Sequence, residues 1–312
     1  MGKLDAVSKK YFGKQETFAD VFNYLLFGGK QVIKPNELEE LDSNQVAVLF
    51  KDKDLQDIQK QRDLLKLWNV MTDGDTIFVL FGVEIQGFVH YAMPIKTGLY
   101  DFITYDDQLS KIASENWAKH KAGEIKLRPG GEFLYGFRKG DTVKLVITAT
   151  IYVGKEPWDG PMKLSDIVPP GAKKLMTPYD DYKLRLISAT DMDDAEFSKF
   201  TTELGEVMQF VKHQGKDVDK LIEKTNHKIY SPEAADFLKV AANMDLDFEV
   251  KDGGVDMCEA LERRDKKKTV EGAIMGLQMA GVNEEDIISK IIEKFNVTKE
   301  YVQALLAPQA VA

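Results

Sequence analysis

Glu84 and Gln86 interrupt an otherwise apolar run, "VLFGVEIQG" over residues 79–87. On a strand, residues two apart share a face, so an acid and an amide project together from what reads as core. Burying a carboxylate costs several kcal/mol unless something compensates it. A partner is legible upstream. "TDGD" at 72–75 lies between two strand-like runs, and Asp-Gly is a strong signal for a two-residue hairpin turn. With Asp73 and Gly74 at the centre, Thr72 opposes Asp75, Asp63 opposes Glu84 and Gln61 opposes Gln86. Directly opposed residues share a face with Cβ atoms roughly 4.5–5.5 Å apart, provided no bulge shifts the register.

Two carboxylates about 5 Å apart repel by roughly 3 kcal/mol at an effective dielectric near 20. Either one holds a proton or a cation lies between them. Carboxylates, an amide oxygen and a neighbouring backbone carbonyl form a hard-oxygen set suited to Mg²⁺ or Mn²⁺. Such an ion offsets the charge, supplies an activated water and polarises a phosphoryl oxygen, which makes a phosphodiester the natural substrate. The segment from Pro94 reads as a helix with that proline at its first position. Lys96 falls in its first turn, where the macrodipole disfavours a cation. A phosphate nearby accounts for it, and a solvated lysine is the alternative.

These residues need elements to hold them. "TFADVFNYLLFGGK" carries a helical stripe of Phe18, Val21, Phe22, Leu25 and Leu26, with Thr17 and Asp20 spaced as a capping box and Gly28-Gly29 as the stop. "PNELEELDSNQVAV" reads as a short turn or helix leading into a strand, and residues 51–61 as a charged stretch without a period. "TVKLVITATIYVG" reads as a buried strand, "YKLRLIS" as another, and residues 118–141 as a basic, glycine-rich loop. From about Asp191 the pattern is helical. The expected fold is α/β, with a mixed β-sheet core flanked by helices over residues 1–190 and a helical region over 191–312.

Composition narrows the class. The single cysteine, Cys258, excludes an intramolecular disulfide and a cysteine-rich zinc site. The longest apolar run, "IFVLFGV", is too short to span a bilayer, and "MGKLDAVSKK" lacks a signal-peptide core. A cytoplasmic protein with no membrane partner is expected. A net charge of −9 argues against a nucleic-acid coat protein that works by counterion release.

The sequence resembles the recombination-promoting nuclease and transposase-like family of the PD-(D/E)XK superfamily. The resemblance rests on "RD…DGDTIFVLFGVEIQG…HYAMPIKTGLYDFITY" and "ITATIYVGKEPWDGP", and its element order covers residues 15–215. It implies a PD-(D/E)XK-like core and a Mg²⁺-dependent (or Mn²⁺-dependent) DNA endonuclease, a phosphodiester hydrolase linked to recombination or mobile DNA. Asp63 and Glu84 take the metal-binding acid roles, and Gln86 stands where the superfamily usually has lysine. Lys96 supplies positive charge to the scissile phosphate. Gly87 departs from the small hydroxyl residue common in relatives. DNA is the implied partner, and a homodimer is left open. The rival from another class is a catalytically silent fold that binds nucleic acid or protein; a structural or host-interaction protein is a third.

The remaining features have plainer explanations. Asp20 could be a third carboxylate near the metal, but its capping position suffices. His90 reads as structural, since the four histidines show no metal-ligand spacing. In "GKEPWDGP", Trp158 reads as a packing anchor and Asp159 as a backbone acceptor. "NEEDIISKIIEKFNVTKEYVQALL" reads as a helical packing hairpin capped at Asn283 and Thr298, ahead of a DNA-reading helix-turn-helix. "ERRDKKK" at 262–268 reads as a solvated face.

Overall fold

A computed structural model describes residues 2–41, 63–72, 75–213, 221 and 229–306. The expected turn residues Asp73 and Gly74, the expected pair member Gln61 and the charged stretch 51–61 lie outside them. The chain forms two compact units, one of Met1–Lys224 with Asp236–Met244 and one of Thr225–Ala235 with Asp245–Ala312. The first holds a five-stranded mixed sheet flanked by helices. No helix among the described residues is long and apolar enough to cross a membrane.

The sheet runs in chain order: β1 (Leu38–Glu40), β2 (Leu64–Thr72), β3 (Asp75–Gln86), β4 (Leu145–Tyr152) and β5 (Leu186–Ser188). Its first three strands are antiparallel, and β4 and β5 run parallel to β3. Along β2 and β3 the pairing runs without a slip from Thr72↔Asp75 to Leu64↔Val83. That is the two-residue-turn register, and no bulge interrupts it. The parallel step from β3 to β4 needs a crossover, which contains the long helix α3 (Met93–Lys121).

Two N-terminal helices, α1 (Lys3–Phe12) and α2 (Gln15–Phe27), precede the sheet. Helix α2 shows its expected apolar stripe and stops at Gly28, which adopts φ 61° where a left-handed turn is needed. Phe22 stacks on Phe81 of β3 at 4.2 Å between ring centroids, and Phe81 in turn on Trp68 of β2 at 5.9 Å. Helix α1 has no counterpart among the elements read from the sequence.

The start of α2 differs from expectation. The helix begins two residues before Thr17, which is buried in its first turn, and Lys14 is the cap residue. Asp20 therefore caps nothing of its own helix. Its buried carboxylate accepts backbone N–H bonds from Thr201 and Thr202 and a 2.7 Å bond from the Thr202 hydroxyl. These bonds tie α2 to the chain just ahead of α5 (Leu204–His213), numbered after the short α4 (Gly131–Tyr135). These bonds account for the buried Asp20 carboxylate without a metal role.

Helix α6 (Pro232–Ala241) follows the two-residue strand β6 (Ile229–Tyr230), which pairs with β7 (Val255–Asp256). The second unit continues with α7 (Met257–Met279), α8 (Glu284–Phe295) and α9 (Lys299–Leu306). Val270 and Ile274 of α7, Ile287, Ile288 and Ile291 of α8 and Val302 of α9 share one apolar cluster. The Asn283 side chain accepts from the Asp286 N–H, and the Thr298 hydroxyl from the Tyr301 N–H, so both caps stand where the sequence puts them.

Asp20→Ala removes a buried acceptor and strands several donors. It is expected to cost about 3 kcal/mol, read as a lowered urea midpoint with an unchanged slope.

Candidate functional site

The two faces of the sheet are built from different chemistry. Val79, Phe81 and Val83 of β3 alternate toward α1 and α2, while Leu80, Gly82 and Glu84 face α3. Leu80 joins Leu67 and Val146 in a small apolar cluster with Tyr105 of α3. Further along the strand the layer becomes polar. Parallel pairing sets Gly82 beside Thr148 and Glu84 beside Thr150, and α3 buries Thr97, Asp101 and Thr104. Meanwhile Ile95, Leu99 and Phe102, at helical spacing on α3, are 51%, 48% and 67% exposed. The inward side of the helix thus mixes these polar groups with buried Met93, Tyr100 and Ile103.

Each buried polar group needs compensation. Asp101 accepts 2.5 Å and 2.6 Å bonds from the hydroxyls of Thr148 and Tyr182. Burial, then the Asp101 charge, pushes the Tyr182 hydroxyl well above its ordinary pKa. The hydroxyls of Thr97 and Thr104 donate back to carbonyls one turn earlier in α3. Fully buried Thr150 keeps a side-chain oxygen without a hydrogen-bond partner among the described residues. Glu84 is fully buried, and Lys96 Nζ lies 3.0 Å from its Oε2. The same ammonium sits 5.7 Å from the Tyr100 ring centroid.

Lys96 therefore has a reason to occupy the helix's first turn that requires no phosphate: it is the counter-ion of Glu84. Proline at the second position and His90 close the start of α3. The His90 carbonyl accepts from the Met93 N–H, and its Nδ1 from the Ala92 N–H at 3.2 Å. The structural assignment of His90 agrees.

Asp63 lies immediately before β2, one step beyond the Leu64↔Val83 pair and so level with Glu84 in register. Its carboxylate turns to the ladder edge. Oδ2 accepts the Ile85 N–H at 2.8 Å, and Oδ1 lies 3.4 Å from Lys9 Nζ of α1. Lys9 also pairs with Asp5 one turn earlier, at 3.2 Å. Burial pushes the Asp63 carboxyl above its ordinary pKa; the Ile85 N–H and Lys9 pull it down, while Asp5 pushes it up again. Gln86 is half-buried at the strand end, and its backbone carbonyl accepts the Val153 N–H.

The structure thus joins Glu84 to Lys96 and sets Asp63 at the same end of the strand pair with a separate lysine. Among the described residues, no three His, Cys, Asp or Glu side chains converge as metal ligands. The donor chemistry nevertheless suits a hard cation. Asp63 and Glu84 offer carboxylate oxygens, and β geometry turns the Ile85 carbonyl to the same edge as its N–H. Each carboxylate already holds an ammonium that stands in for a cation.

Sequence reading missed Asp5, Lys9, Asp101 and Tyr182. The i, i+4 spacing of Asp5 and Lys9 was a signal, as was the helical spacing of Thr97, Asp101 and Thr104. Tyr182 gave none, being remote in sequence.

The "WDGP" loop is structural, with one correction. Trp158 packs edge-on to Tyr152 at 5.2 Å, and its backbone N–H donates to the Asp191 carboxylate. Asp159 accepts the Tyr91 hydroxyl at 3.0 Å rather than a backbone donor. A cavity of about 440 Å³ lined by Tyr24, Trp158, Ser188, Asp191 and Glu196 contains none of the expected site residues. In the second unit, Arg263 pairs with Glu249 and Glu259, Arg264 with Asp265 and Lys267 with Asp245, so much of the 262–268 cluster is neutralised by its neighbours. Compared with protein-family models, curated proteins and solved structures, the chain matches none.

Lys96→Ala leaves a buried carboxylate without this counter-ion and is expected to cost about 3 kcal/mol; Lys96→Met with Glu84→Gln should recover most of it in thermal or urea unfolding. The raised Asp63 pKa gives a signed pH dependence. Its contribution to stability is complete below the ordinary aspartate range and is lost as pH rises through the folded value. Asp63→Asn, which can still accept from Ile85, should be more stable than wild type at neutral pH, and the gap should close in acid.

Proposed function

We propose that this chain is a Mg²⁺-dependent DNA endonuclease with a PD-(D/E)XK-like core. The observation that carries the proposal is the fully buried Glu84, in the middle strand of the sheet, compensated by Lys96 from the first turn of the following helix. A buried acid–lysine pair inside a polar layer costs stability that an apolar pair would supply, and such sites are retained where chemistry needs them. The element order supports the same reading. A helix and the short β1 are followed by a strand that begins just after Asp63, a strand ending in Glu84-Ile85-Gln86, a helix opening with Met93-Pro94 and a strand ending in Tyr152 before Gly154.

In this proposal Asp63 and Glu84 hold Mg²⁺ or Mn²⁺, with the Ile85 carbonyl beside them. Held there, such an ion would supply an activated water and offset charge on the phosphoryl oxygens. Lys96 leaves Glu84 to contact the scissile phosphate. Gln86 cannot take a proton, so it orients water or phosphate through its amide. Asp101, held by Thr148 and Tyr182, positions α3 and with it Lys96. A role in recombination or mobile DNA, a cytoplasmic setting and a homodimer belong to the proposal through the family resemblance.

The rival reading, a silent fold that binds nucleic acid or protein, draws on a specific observation: Lys96 and Lys9 already neutralise the two carboxylates. Cleavage of supercoiled plasmid separates the two. With Mg²⁺ or Mn²⁺ the wild type is expected to nick DNA, EDTA to stop it, and Glu84→Ala to lower the rate by about a hundredfold or more. Equal nicking by both proteins, or none by either, rejects the nuclease.

A further inference from the structure

Helix α1 reaches the site. Leu4 packs so close to Gly87 that a Cβ there would lie 2.7 Å from Leu4 Cδ2. One residue on, Asp5 holds Lys9 at 3.2 Å, and Lys9 holds Asp63 at 3.4 Å. Asp5 also hydrogen-bonds Asp63, so Lys9 sits between two acids that touch each other, one in the proposed site and one on its own helix. Its side chain is 23% exposed and that of Asp63 11%, so the ammonium keeps partial access to solvent while the carboxylate is largely buried.

We propose that Lys9 is a positioning residue of the site: it holds Asp63 when no divalent cation is bound and withdraws to Asp5 when one binds. This inference rests on the metal-site reading of Asp63 and Glu84. Its physical basis is competition for one carboxylate. An ammonium within 4 Å of Asp63 and an incoming divalent cation repel each other, and the ion gains its full attraction to Asp63 only when Lys9 leaves. Asp5 makes that departure cheap, because the berth is already occupied by the same ammonium. The i, i+4 arrangement on one helix keeps Lys9 within reach of Asp5 throughout. Lys96 plays the corresponding part toward Glu84, but it has no second acid of this kind among the contacts described for it.

The test is Mn²⁺ affinity by isothermal titration calorimetry at fixed pH and ionic strength, with no DNA present. Lys9→Ala should tighten Mn²⁺ binding by about tenfold, since it removes a unit charge next to the ligand. Lys9→Arg should stay near wild type. Asp5→Asn should weaken binding severalfold, because Lys9 then has only Asp63 to hold. Lys9→Ala with Asp5→Asn should bind like Lys9→Ala alone, and that non-additivity marks a shared path rather than two separate structural effects. Thermal melts confirm that each variant is folded. Wild type binding Mn²⁺ with Lys9→Ala unchanged or weaker overturns the role of Lys9 and leaves the metal site standing. No binding by wild type, by Lys9→Ala or by Lys96→Ala overturns both.

Discussion

Glu84 lies in the middle of the sheet with no access to water, and its charge is tolerable there because Lys96 reaches it from the next helix. Much of the first unit follows from that requirement. A lysine near a helix N-terminus opposes the macrodipole, so the start of α3 is secured by other means: proline in the first turn and the His90 carbonyl and imidazole on the leading N–H groups. The helix must also present polar groups to the sheet. Thr97, Asp101 and Thr104 are buried for this reason, while Ile95, Leu99 and Phe102 face out. That arrangement forfeits the burial of three large apolar side chains, each worth about 2 kcal/mol.

The opposite face of the sheet makes good the loss. Aromatic rings from α2, β2 and β3 stack there in series, Phe18 on Phe22, Phe22 on Phe81 and Phe81 on Trp68. Even here one lysine is buried. Lys66 donates to the Gly13 carbonyl, to Gln15 at 2.9 Å and to Glu40 at 3.0 Å, and it lies 5.1 Å from the Phe18 ring centroid. Lys66 has a full set of acceptors and locks α1, α2 and β1 to the sheet. Lys96 is 28% exposed and pairs with a fully buried acid. One lysine is thus held by three acceptors on one face of the sheet, and the other sits over a buried carboxylate on the opposite face.

The parts legible in the sequence were those set by local rules. The Asp-Gly signal in the sequence predicted the register that runs from Thr72↔Asp75 to Leu64↔Val83, because antiparallel pairing carries one register along both arms. The stripe and stop of α2, the strand at 145–152 and the caps at Asn283 and Thr298 are local in the same sense. Long-range choices were not legible. Asp20 has the spacing of a capping box, yet its partners are some 180 residues away. Asp159 found a tyrosine hydroxyl instead of its own loop. Helix α3 leaves Ile95, Leu99 and Phe102 exposed while burying Thr97, Asp101 and Thr104 beside Met93, Tyr100 and Ile103, a division that periodicity alone does not give. Asp63 was read correctly in register, but not its hydrogen bond to Ile85, because register fixes Cα positions and leaves the rotamer open.

Charge sets a further condition on the proposed nuclease. At a net charge of −9, the molecule as a whole repels a polyanion, and the second unit's arginines are largely committed to neighbouring acids. Attraction for a phosphate must then be generated at the site itself. Lys9 and Lys96 bring two ammonium groups against the three acids Asp5, Asp63 and Glu84, so these side chains offer no excess positive charge of their own. On the proposed reading, a divalent cation held by Asp63 and Glu84 would tip that balance to positive, so that cation binding and phosphate binding would be one electrostatic event.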